Sequence, residues 1–296
     1  MFRIFWILLF FTYINNVLAL PSHNANKTVV ITGGLIGIGA NLASSFKKDG
    51  WNVWVTSRDP KKYVITKGIK VVKLNLKNET DIKTFIQTVY KKDGRIDVLI
   101  NNAGYGVLGP IETINIDQIT EQFDINFNAP IRMITEVLPI MKNQGNGYII
   151  NISSLSGIRA IPGLGIYAAT KKALEAMSES LVAEVSPWNI KVVLIEPGTV
   201  NNNWINHCTI AAKLNAFPLY KKFTQKLQTT LLSRIITGQP PEEVGELALK
   251  IVKNKSPHFR YQSGAQSTNV AKKVLVDPTG DQIRNEMIDF AKVLYN

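Results

Sequence analysis

A tyrosine and a lysine stand four residues apart in the middle of the chain, and together they could exchange a proton with a substrate. Tyr167 and Lys171 share one face if this segment is helical, because residues at i and i+4 lie one turn apart. A neighbouring ammonium group favours the phenolate, so we expect it to lower the phenol pKa from about 10 toward neutral pH. Tyr167 would then donate a proton to a carbonyl oxygen or accept one from an alcohol. The pair alone is weak evidence, since most such pairs lie on a solvated helix face.

A glycine-rich segment near the start of the chain indicates a phosphate-binding loop. Residues 32–39 have the sequence TGGLIGIG, directly after an apolar run and before a helical segment. Gly33, Gly37 and Gly39 permit a tight turn, so the N–H groups at the helix start would face a pyrophosphate. Ile38, within the same loop, is also predicted to contact the nucleotide. Glycine-rich turns are often only loops, but the strand and helix on either side favour a dinucleotide site.

Apolar β-branched runs alternate with helical segments along most of the chain. The predicted strands are residues 28–32, 52–57, 70–74, 97–101, 148–152 and 191–196. The predicted helices are residues 37–49, 78–92, 117–141 and a helix that carries Tyr167 and ends near Val185. This alternation predicts an α/β fold with a single Rossmann-type, doubly wound parallel sheet.

The residues that follow these strands would meet at one crevice, because ligands bind beyond the carboxyl ends of the strands in such sheets. These residues are Gly33, Asn102, Ser154 and Pro197. Arg58 follows the second strand, where an acidic residue would hold the ribose hydroxyls of NAD. A guanidinium suits a 2′-phosphate instead, so NADP(H) is the preferred cofactor and NAD(H) is the alternative.

Five motifs in order resemble the short-chain dehydrogenase/reductase family over residues 27–261. They are TGGLIGIG, NNAG at residues 101–104, SSLSG at 153–157, YAATK at 167–171 and EPGTV at 196–200. The resemblance implies an NAD(P)-dependent oxidoreductase that acts on CH–OH groups, in which Ser154 orients the substrate oxygen and Asn126 holds a water in the proton relay. It also gives Lys171 a second role, binding the nicotinamide ribose hydroxyls. Without the resemblance, Ser154 is as readily a helix cap and Asn126 a satisfied buried amide.

The resemblance also assigns the cofactor contacts, and it shows departures from the family pattern. The contacts are Gly33, Gly37, Ile38, Gly39, Arg58, Asn75, Asn102, Ala103, Gly104, Tyr167, Lys171, Pro197, Gly198 and Val200. No metal site is predicted. Asn75 replaces the usual adenine-contacting aspartate, and Asn202 stands where a nicotinamide-contacting threonine is common. Leu35 and Ile36 replace small polar loop residues, which leaves Arg58 to carry more of any NADP preference.

A helical substrate lid is predicted between the sixth strand and Pro240. Apolar residues recur there at helical spacing, at Tyr220, Phe223, Leu227 and Leu231. Such a stripe either packs into the core or lines a pocket, and the sequence leaves both open. As a pocket wall it would enclose a lipophilic carbonyl compound or alcohol. EPGTV and residues 258–267 and 276–280 resemble the branch of 17β-hydroxysteroid and retinol dehydrogenases, whose substrates are of retinoid, steroid or aliphatic aldehyde type.

Two rival functions remain open at the level of the sequence. A nucleotide-binding regulator would keep the fold without turnover, although retention of all four catalytic residue types argues against it. A structural, membrane-anchored partner protein would not depend on Tyr167. Members of the family commonly pair through helices, so a homo-oligomer is expected.

Length and composition fit one large α/β domain, spanning residues 27–296. The 296 residues are 45% hydrophobic, with no internal repeat or low-complexity linker. The net charge of +12 comes from scattered lysine doublets rather than one basic stripe, so no nucleic-acid partner is predicted. Such doublets are usually solvated helix ends, and the alternative is attraction to acidic lipid or a phosphorylated cofactor. The single cysteine, Cys208, excludes an internal disulfide, and without a paired histidine it is not expected to be a nucleophile.

Residues 1–20 resemble a signal peptide or a membrane anchor. Arg3 precedes a short apolar run, and small or apolar residues surround a cut site after Ala19. The predicted locations are the secretory pathway, the periplasm or a membrane surface. Reduced nicotinamide cofactors are scarce outside cells, which favours an anchor or a cofactor-supplied lumen. Asn26 and Asn78 begin glycosylation-type triplets, and Asn151 also does but is expected to be buried.

Overall fold

A seven-stranded parallel sheet forms the centre of the computed structural model, which describes residues 26–295. The described strands are β1 (Thr28–Thr32), β2 (Asn52–Ser57), β3 (Ile69–Lys73), β4 (Val98–Asn101), β5 (Val107–Leu108), β6 (Gly147–Ile152), β7 (Ile190–Pro197), β8 (Thr209–Ile210) and β9 (Arg260–Ser263). The order in the main sheet is β3-β2-β1-β4-β6-β7-β9, and β5 and β8 pair separately. The predicted Rossmann-type doubly wound sheet is confirmed.

Helices cover both faces of this sheet. The described helices are α1 (Gly37–Lys48), α2 (Glu79–Asp93), α3 (Ile116–Phe123), α4 (Ala129–Gln144), α5 (Leu155–Ile158), α6 (Gly165–Glu184), α7 (Pro218–Ile236), α8 (Pro241–Lys253), α9 (Ala265–Val274) and α10 (Asp281–Tyr295). Residues of α1 and α8 pack against one face, and residues of α2, α4 and α6 pack against the other. The side chains of β1 alternate between the two faces, since Val29 and Ile31 pack on the face covered by α1 and α8, and Val30 packs on the opposite face. Both faces are therefore apolar, as a buried parallel sheet requires.

The six predicted strands agree with the structure to within one residue at each end. The seventh strand, β9, was not predicted, because its four residues RYQS carry neither an apolar run nor a clear alternation. It pairs with β7 from Leu194 to Pro197, and so it reaches the same edge of the sheet as the predicted crevice.

The prediction of one continuous helix at residues 117–141 is wrong in one respect, because a π-helical turn interrupts the helix. This turn, Asp124–Asn128, lies between α3 and α4, and the N–H of Ala129 bonds back to the carbonyl of Asp124. Pro130 follows directly and has no N–H to donate to the carbonyl of Asn126, four residues earlier. The missing α-helical bond is consistent with the wider turn at this point, and π-turns of this kind often occur at functional sites.

The proposed signal peptide or anchor, residues 1–20, lies outside the described residues. Among residues 26–295, no helix combines the length and the apolar composition that crossing a membrane requires. Asn151 is fully buried, as expected, and its amide donates to the Ser178 hydroxyl at 2.8 Å.

Candidate active site

The carboxyl ends of the strands open into one cleft of about 1360 Å³. Most of the predicted site residues line it: Gly33, Gly37, Ile38, Gly39, Arg58, Asn102, Ala103, Gly104, Ser154, Tyr167, Lys171, Pro197, Gly198 and Val200. Two predicted residues do not line it, namely Asn75 and Asn126. The parallel topology explains the convergence, because the segments that leave β1, β2, β4, β6 and β7 all start at the same edge.

Ser154 and Tyr167 meet at the centre of the cleft. Ser154 lies two residues after β6, Tyr167 lies in the first turn of α6, and their side chains hydrogen-bond. The Ser154 hydroxyl oxygen also accepts a bond from the N–H of Ser156 at 3.0 Å, which caps α5. The helix-cap interpretation of Ser154 is therefore confirmed, and the cap fixes the same hydroxyl that faces the phenol.

Lys171 lies one turn after Tyr167 and is 4% exposed. Its ammonium group donates to the carbonyl oxygen of Ile152 at 2.7 Å, which ties α6 to the end of β6. Among the described residues no carboxylate forms an ion pair with it; the nearest acidic residue of α6, Glu175, pairs with Arg260 instead. Burial lowers the pKa of Lys171 from 10.5 to about 8, and the charge of Glu175 opposes this decrease.

The predicted decrease of the Tyr167 pKa is wrong for the protein chain itself. The Lys171 nitrogen lies 5.8 Å from the Tyr167 ring centroid, and the phenol is 8% exposed. Burial raises the pKa of Tyr167, and the hydrogen bond from Ser154 only partly opposes this increase. Trp204 contributes to the burial, because its ring packs at 5.0 Å from the tyrosine ring. The phenol is therefore protonated at neutral pH.

Asn126 lies beneath the cleft, where the π-helical turn places its side chain against the loop after β4. Its amide oxygen accepts from the N–H of Tyr105 at 3.0 Å, and its amide nitrogen donates to the Tyr105 carbonyl at 2.8 Å. The same nitrogen donates to the Thr170 hydroxyl at 3.1 Å. The side chain is thus a satisfied buried amide that joins the loop to α6, one residue before Lys171. Gly104 completes this arrangement, since a Cβ there would lie 3.1 Å from the Asn126 amide oxygen.

The glycine loop is a backbone cradle at the start of α1. Gly33 and Gly37 have φ of 66° and 53°, a conformation that favours glycine. A Cβ on Gly39 would lie 2.1 Å from the Gly33 carbonyl oxygen, so α1 packs directly on the loop. Asn102 fastens this loop to the end of β4, because its amide donates to the Thr32 and Gly33 carbonyls at 2.9 and 3.0 Å.

Arg58 and Lys62 provide positive charge at the end of β2. Both line the cleft together with Asp59, which pairs with Lys62 at 3.2 Å. Asn75, the predicted adenine contact, borders a smaller adjoining depression that it shares with Arg58. Its amide oxygen accepts from the N–H of Lys77 at 3.1 Å, so the residue stabilises the turn before α2.

A buried charged cluster, formed by Glu175, Glu196 and Arg260, was not predicted. Arg260 of β9 forms ion pairs with Glu175 of α6 at 2.8 Å and with Glu196 at the end of β7. Glu175 also accepts from the Ser153 hydroxyl at 2.5 Å. Burial first, and then the charge of Glu175, raise the pKa of Glu196 to about 7. The cluster therefore joins three segments directly behind Ser154, Lys171 and Pro197.

Two signals in the sequence could have indicated this cluster. Glu175 follows Lys171 by one helical turn on a buried face, and Glu196 directly follows the apolar run VVLI of β7. Gly157 packs against this cluster without a side chain, because a Cβ there would lie 2.0 Å from a Glu175 carboxylate oxygen. The glycine of the SSLSG motif thus leaves room for the carboxylate that holds Ser153.

The lid helix α7 contributes to both the core and the cleft. Leu227 packs near Leu164 and Tyr167, while Leu231 and Ile235 do the same and also line the cleft. Of the predicted stripe, Leu227 therefore packs in the core and Leu231 also faces the cleft, whereas Phe223 is 38% exposed and does not line the cleft. Cys208 is partly buried near this region, and burial raises the pKa of its thiol to about 12, which disfavours a nucleophilic role.

Comparison with known proteins places this fold and site in one class. The family model described as short chain dehydrogenase matches residues 27–209. The chain belongs to the short-chain dehydrogenase/reductase family, and it is a nicotinamide-dependent oxidoreductase of that family.

Particular relatives agree with the narrower resemblance. The chain is 32% identical over 238 residues to a 3-ketodihydrosphingosine reductase from Bacteroides thetaiotaomicron, covering 80% of this chain and 88% of the relative. It is 28% identical over 280 residues to human (Homo sapiens) retinol dehydrogenase 8, covering 86% and 87% of the two chains. A short-chain dehydrogenase from Streptomyces avermitilis has the same fold, with a TM-score of 0.75 and 25% identity over 92% of this chain and 98% of that one. The resemblance to the retinol dehydrogenase branch is confirmed.

Proposed function

We propose that this protein transfers a hydride between NADP(H) and the carbonyl or alcohol group of a lipophilic substrate, with Tyr167 exchanging the proton. The observation that carries the proposal is that Tyr167, Ser154 and Lys171 line the same cleft as the glycine loop. A proton donor, a hydroxyl that binds the same oxygen and a dinucleotide cradle are the parts that such a reaction requires.

The cleft is suited to a dinucleotide because backbone donors are available at its glycine loop. α1 begins at Gly37 with no side-chain cap and no acidic residue in its first turn, so its first N–H groups are free to bind a pyrophosphate. The nicotinamide, when bound, would supply or accept the hydride. Arg58 and Lys62 at the end of β2 would hold a 2′-phosphate, which supports NADP(H) over NAD(H).

The protonation states of the chain's own groups favour carbonyl reduction. Because burial raises its pKa, Tyr167 holds its proton at neutral pH and can donate it to a substrate oxygen. The Ser154 hydroxyl would bind the same oxygen, since it already bonds the phenol. Lys171, with a pKa of about 8, is an acid strong enough to restore the proton to the site near neutral pH. Asn126 supports this arrangement through Tyr105 and Thr170.

Several apolar side chains line the substrate end of the cleft, which supports a substrate with a lipophilic part. The apolar residues that line it are Leu155, Ile161, Leu164, Trp204, Leu231 and Ile235. Burying hydrocarbon against such a surface stabilises binding by about 25 cal/mol per Å². Retinoids, steroid ketones and long-chain carbonyl compounds have this character, and the names of the relatives point to the same range of molecules.

A spectrophotometric screen of the full-length chain in mild detergent tests the proposal. The substrates are retinal, steroid ketones, aliphatic aldehydes and 3-ketodihydrosphingosine, each with NADPH and with NADH. We expect oxidation of NADPH with at least one substrate and a lower KM for NADPH than for NADH. Tight NADPH binding without turnover of any member of this panel would instead indicate a nucleotide-binding regulator.

The cofactor preference has its own test in Arg58→Ala. Loss of a charge-assisted contact should raise the KM for NADPH about tenfold or more and change that for NADH little. Lys61→Ala is the matched control, because Lys61 is an exposed neighbour that does not line the cleft. Equal effects of Arg58→Ala on both cofactors would contradict the preference for NADP(H).

We further propose that residues 1–20 direct the chain to a membrane or anchor it there. The apolar run after Arg3 supports this, and α7 offers a further surface, since Leu219 and Ile236 are 78% and 73% exposed. Lys221 and Lys222 beside Leu219 would suit anionic lipid. Retention of the full-length chain in the membrane pellet after alkaline carbonate would support an anchor, and complete release would contradict one.

A further inference from the structure

The cleft has a second cationic region, distinct from the one at Arg58. Arg159, His207 and Arg234 line the cleft and are exposed to solvent. Arg159 follows α5, the helix after β6, whereas Arg58 directly follows β2, and β1 and β4 lie between these two strands. Three strand spacings separate β2 from β6, which is about 14 Å.

These three residues belong to segments that surround Tyr167. Arg234 lies between Leu231 and Ile235, both of which pack in the same apolar cluster as Tyr167. Arg159 lies two residues before Ile161, which packs in that cluster as well. His207 ends the short helical turn that starts at Trp204, whose ring contacts the tyrosine. The second cationic region is therefore at the substrate end of the cleft.

The arginines of the cleft differ from the other arginines of the described chain in their partners. Arginines elsewhere form ion pairs with carboxylates, namely Arg95, Arg132, Arg260 and Arg284. Within residues 26–295, Arg58, Arg159 and Arg234 form no ion pair and their side chains make no hydrogen bond. Asp59 is the sole acidic side chain among the described residues that line the cleft, and it lies at the β2 end beside Lys62. Unpaired guanidinium groups remain where a ligand would bind.

We propose that the substrate carries an anionic group, a carboxylate or a phosphate, in addition to its lipophilic carbonyl or alcohol part, and that Arg159 and Arg234 bind this group. The inference rests on the proposed function, because it assigns the substrate class of the same cleft. The planar guanidinium forks match either anion, and His207 adds a ring donor at the same end. The apolar residues between this region and Tyr167 accommodate the hydrocarbon part, so one molecule would span from the arginines to the phenol.

A matched pair of substrates separates this proposal from a purely apolar pocket. With the full-length chain and saturating NADPH, kcat/KM is measured for 12-oxododecanoic acid and for its methyl ester, which share the reacting aldehyde and the chain. We expect the acid to be preferred about tenfold or more, since hydrogen bonds to charged groups contribute about 1.5–3 kcal/mol. The acid-to-ester ratio is kcat/KM for the acid divided by kcat/KM for the ester. Arg159→Gln and Arg234→Gln should each lower this ratio about tenfold, mainly by raising the KM of the acid.

Lys226→Gln is the control for net charge, because Lys226 lies on α7 but does not line the cleft. It should leave the ratio of acid to ester as in the wild type. A wild-type ratio near one, or a ratio that neither arginine variant changes, would overturn the proposal.

Two further outcomes distinguish other sources of the anion. If the arginine variants raise the Kd for NADPH and reduce the turnover of acid and ester equally, the arginines serve the cofactor's phosphates and the proposal fails. If neither substrate is turned over, calorimetric titration of the NADPH-bound protein with dodecanoate and with methyl dodecanoate decides. Binding of dodecanoate alone that Arg159→Gln abolishes would support the anionic site, and absence of such binding would overturn it; the substrate screen decides the proposed hydride transfer separately.

Discussion

Lys171 and Glu175 lie one turn apart on α6, are 4% and 6% exposed, and differ in what surrounds their charges. Glu175 accepts from Ser153 and pairs with Arg260, so its charge is compensated within the fold. Lys171 bonds only a carbonyl oxygen, and burial lowers its pKa to about 8. Removing a charge from water without a partner opposes folding, so we propose that the Lys171 charge is retained beside Tyr167 for its role in chemistry. The compensated cluster instead joins the chain segments that carry the proposed catalytic groups.

Tyr167→Phe should give the largest effect on activity. The variant keeps the ring that packs on Trp204 but removes the proton donor, so turnover should fall by about 10²–10⁴-fold. The measurement is kcat for the best substrate of the screen at neutral pH. Tyr220→Phe serves as the control, because Tyr220 is on α7 and does not line the cleft. A Tyr167→Phe protein that keeps more than a tenth of the wild-type kcat would contradict the assignment.

Arg260→Leu should give the largest effect on stability. It leaves Glu175 and Glu196 buried close together without a cation, which should lower the free energy of unfolding by about 3–5 kcal/mol. The loss should grow as pH rises above about 7, because Glu196 then ionises in the wild type and its charge is stabilised by Arg260, which the variant lacks. Urea unfolding at pH 6 and pH 8, chosen as about one pH unit either side of that value, measures the difference.

Two comparisons sharpen this result for Arg260. Lys77→Met breaks an exposed ion pair with Glu121 and should change the unfolding free energy by less than about 1 kcal/mol. Adding Glu175→Gln to Arg260→Leu should restore part of the lost stability, because it removes one of the two buried charges. A loss of stability from Arg260→Leu as small as that from Lys77→Met would show that the cluster is not structural.

Glu175→Gln should give a smaller effect, on the pH dependence of turnover. The charge of Glu175 raises the pKa of Lys171, so its removal lowers that pKa further. In the wild type, carbonyl reduction should decline as pH rises through about 8, where Lys171 loses its proton. In the variant the decline should begin at lower pH, as pH profiles of kcat would show. A decline of kcat at the same pH as in the wild type, or at higher pH, would mean that Glu175 does not interact electrostatically with Lys171.

The sequence predicts the sheet and most of the cleft because these depend on local patterns. Apolar β-branched runs determine β1 to β4, β6 and β7, and the glycines at residues 33, 37 and 39 require the turn that opens α1. Since parallel strands end at one edge, the motif residues Asn102, Ser154 and Pro197 had to meet there.

The remaining features depend on long-range contacts that no local pattern shows. Arg260 lies on a short polar strand, and its partners are 85 and 64 residues away in the sequence. The Tyr167 pKa depends on burial by Trp204 and the lid, which spacing along a helix does not reveal. Asn75, the predicted adenine contact, follows β3, but its amide oxygen accepts a hydrogen bond from the N–H of Lys77.

Lys171→Met tests most directly whether an uncompensated buried charge is kept for catalysis. Below pH 8 the wild type bears the cost of burying the ammonium, and the fall in pKa from 10.5 to about 8 corresponds to about 3 kcal/mol. The variant also loses the hydrogen bond to the Ile152 carbonyl, which reduces the expected gain in unfolding free energy by about 1 kcal/mol. At pH 7 we therefore expect a higher free energy of unfolding for the variant than for the wild type. This difference in unfolding free energy should narrow as pH rises from 8 to 10.5. We also expect the variant to lose at least about 100-fold in kcat. Near-normal turnover, or a stability difference that does not change with pH, would contradict the account.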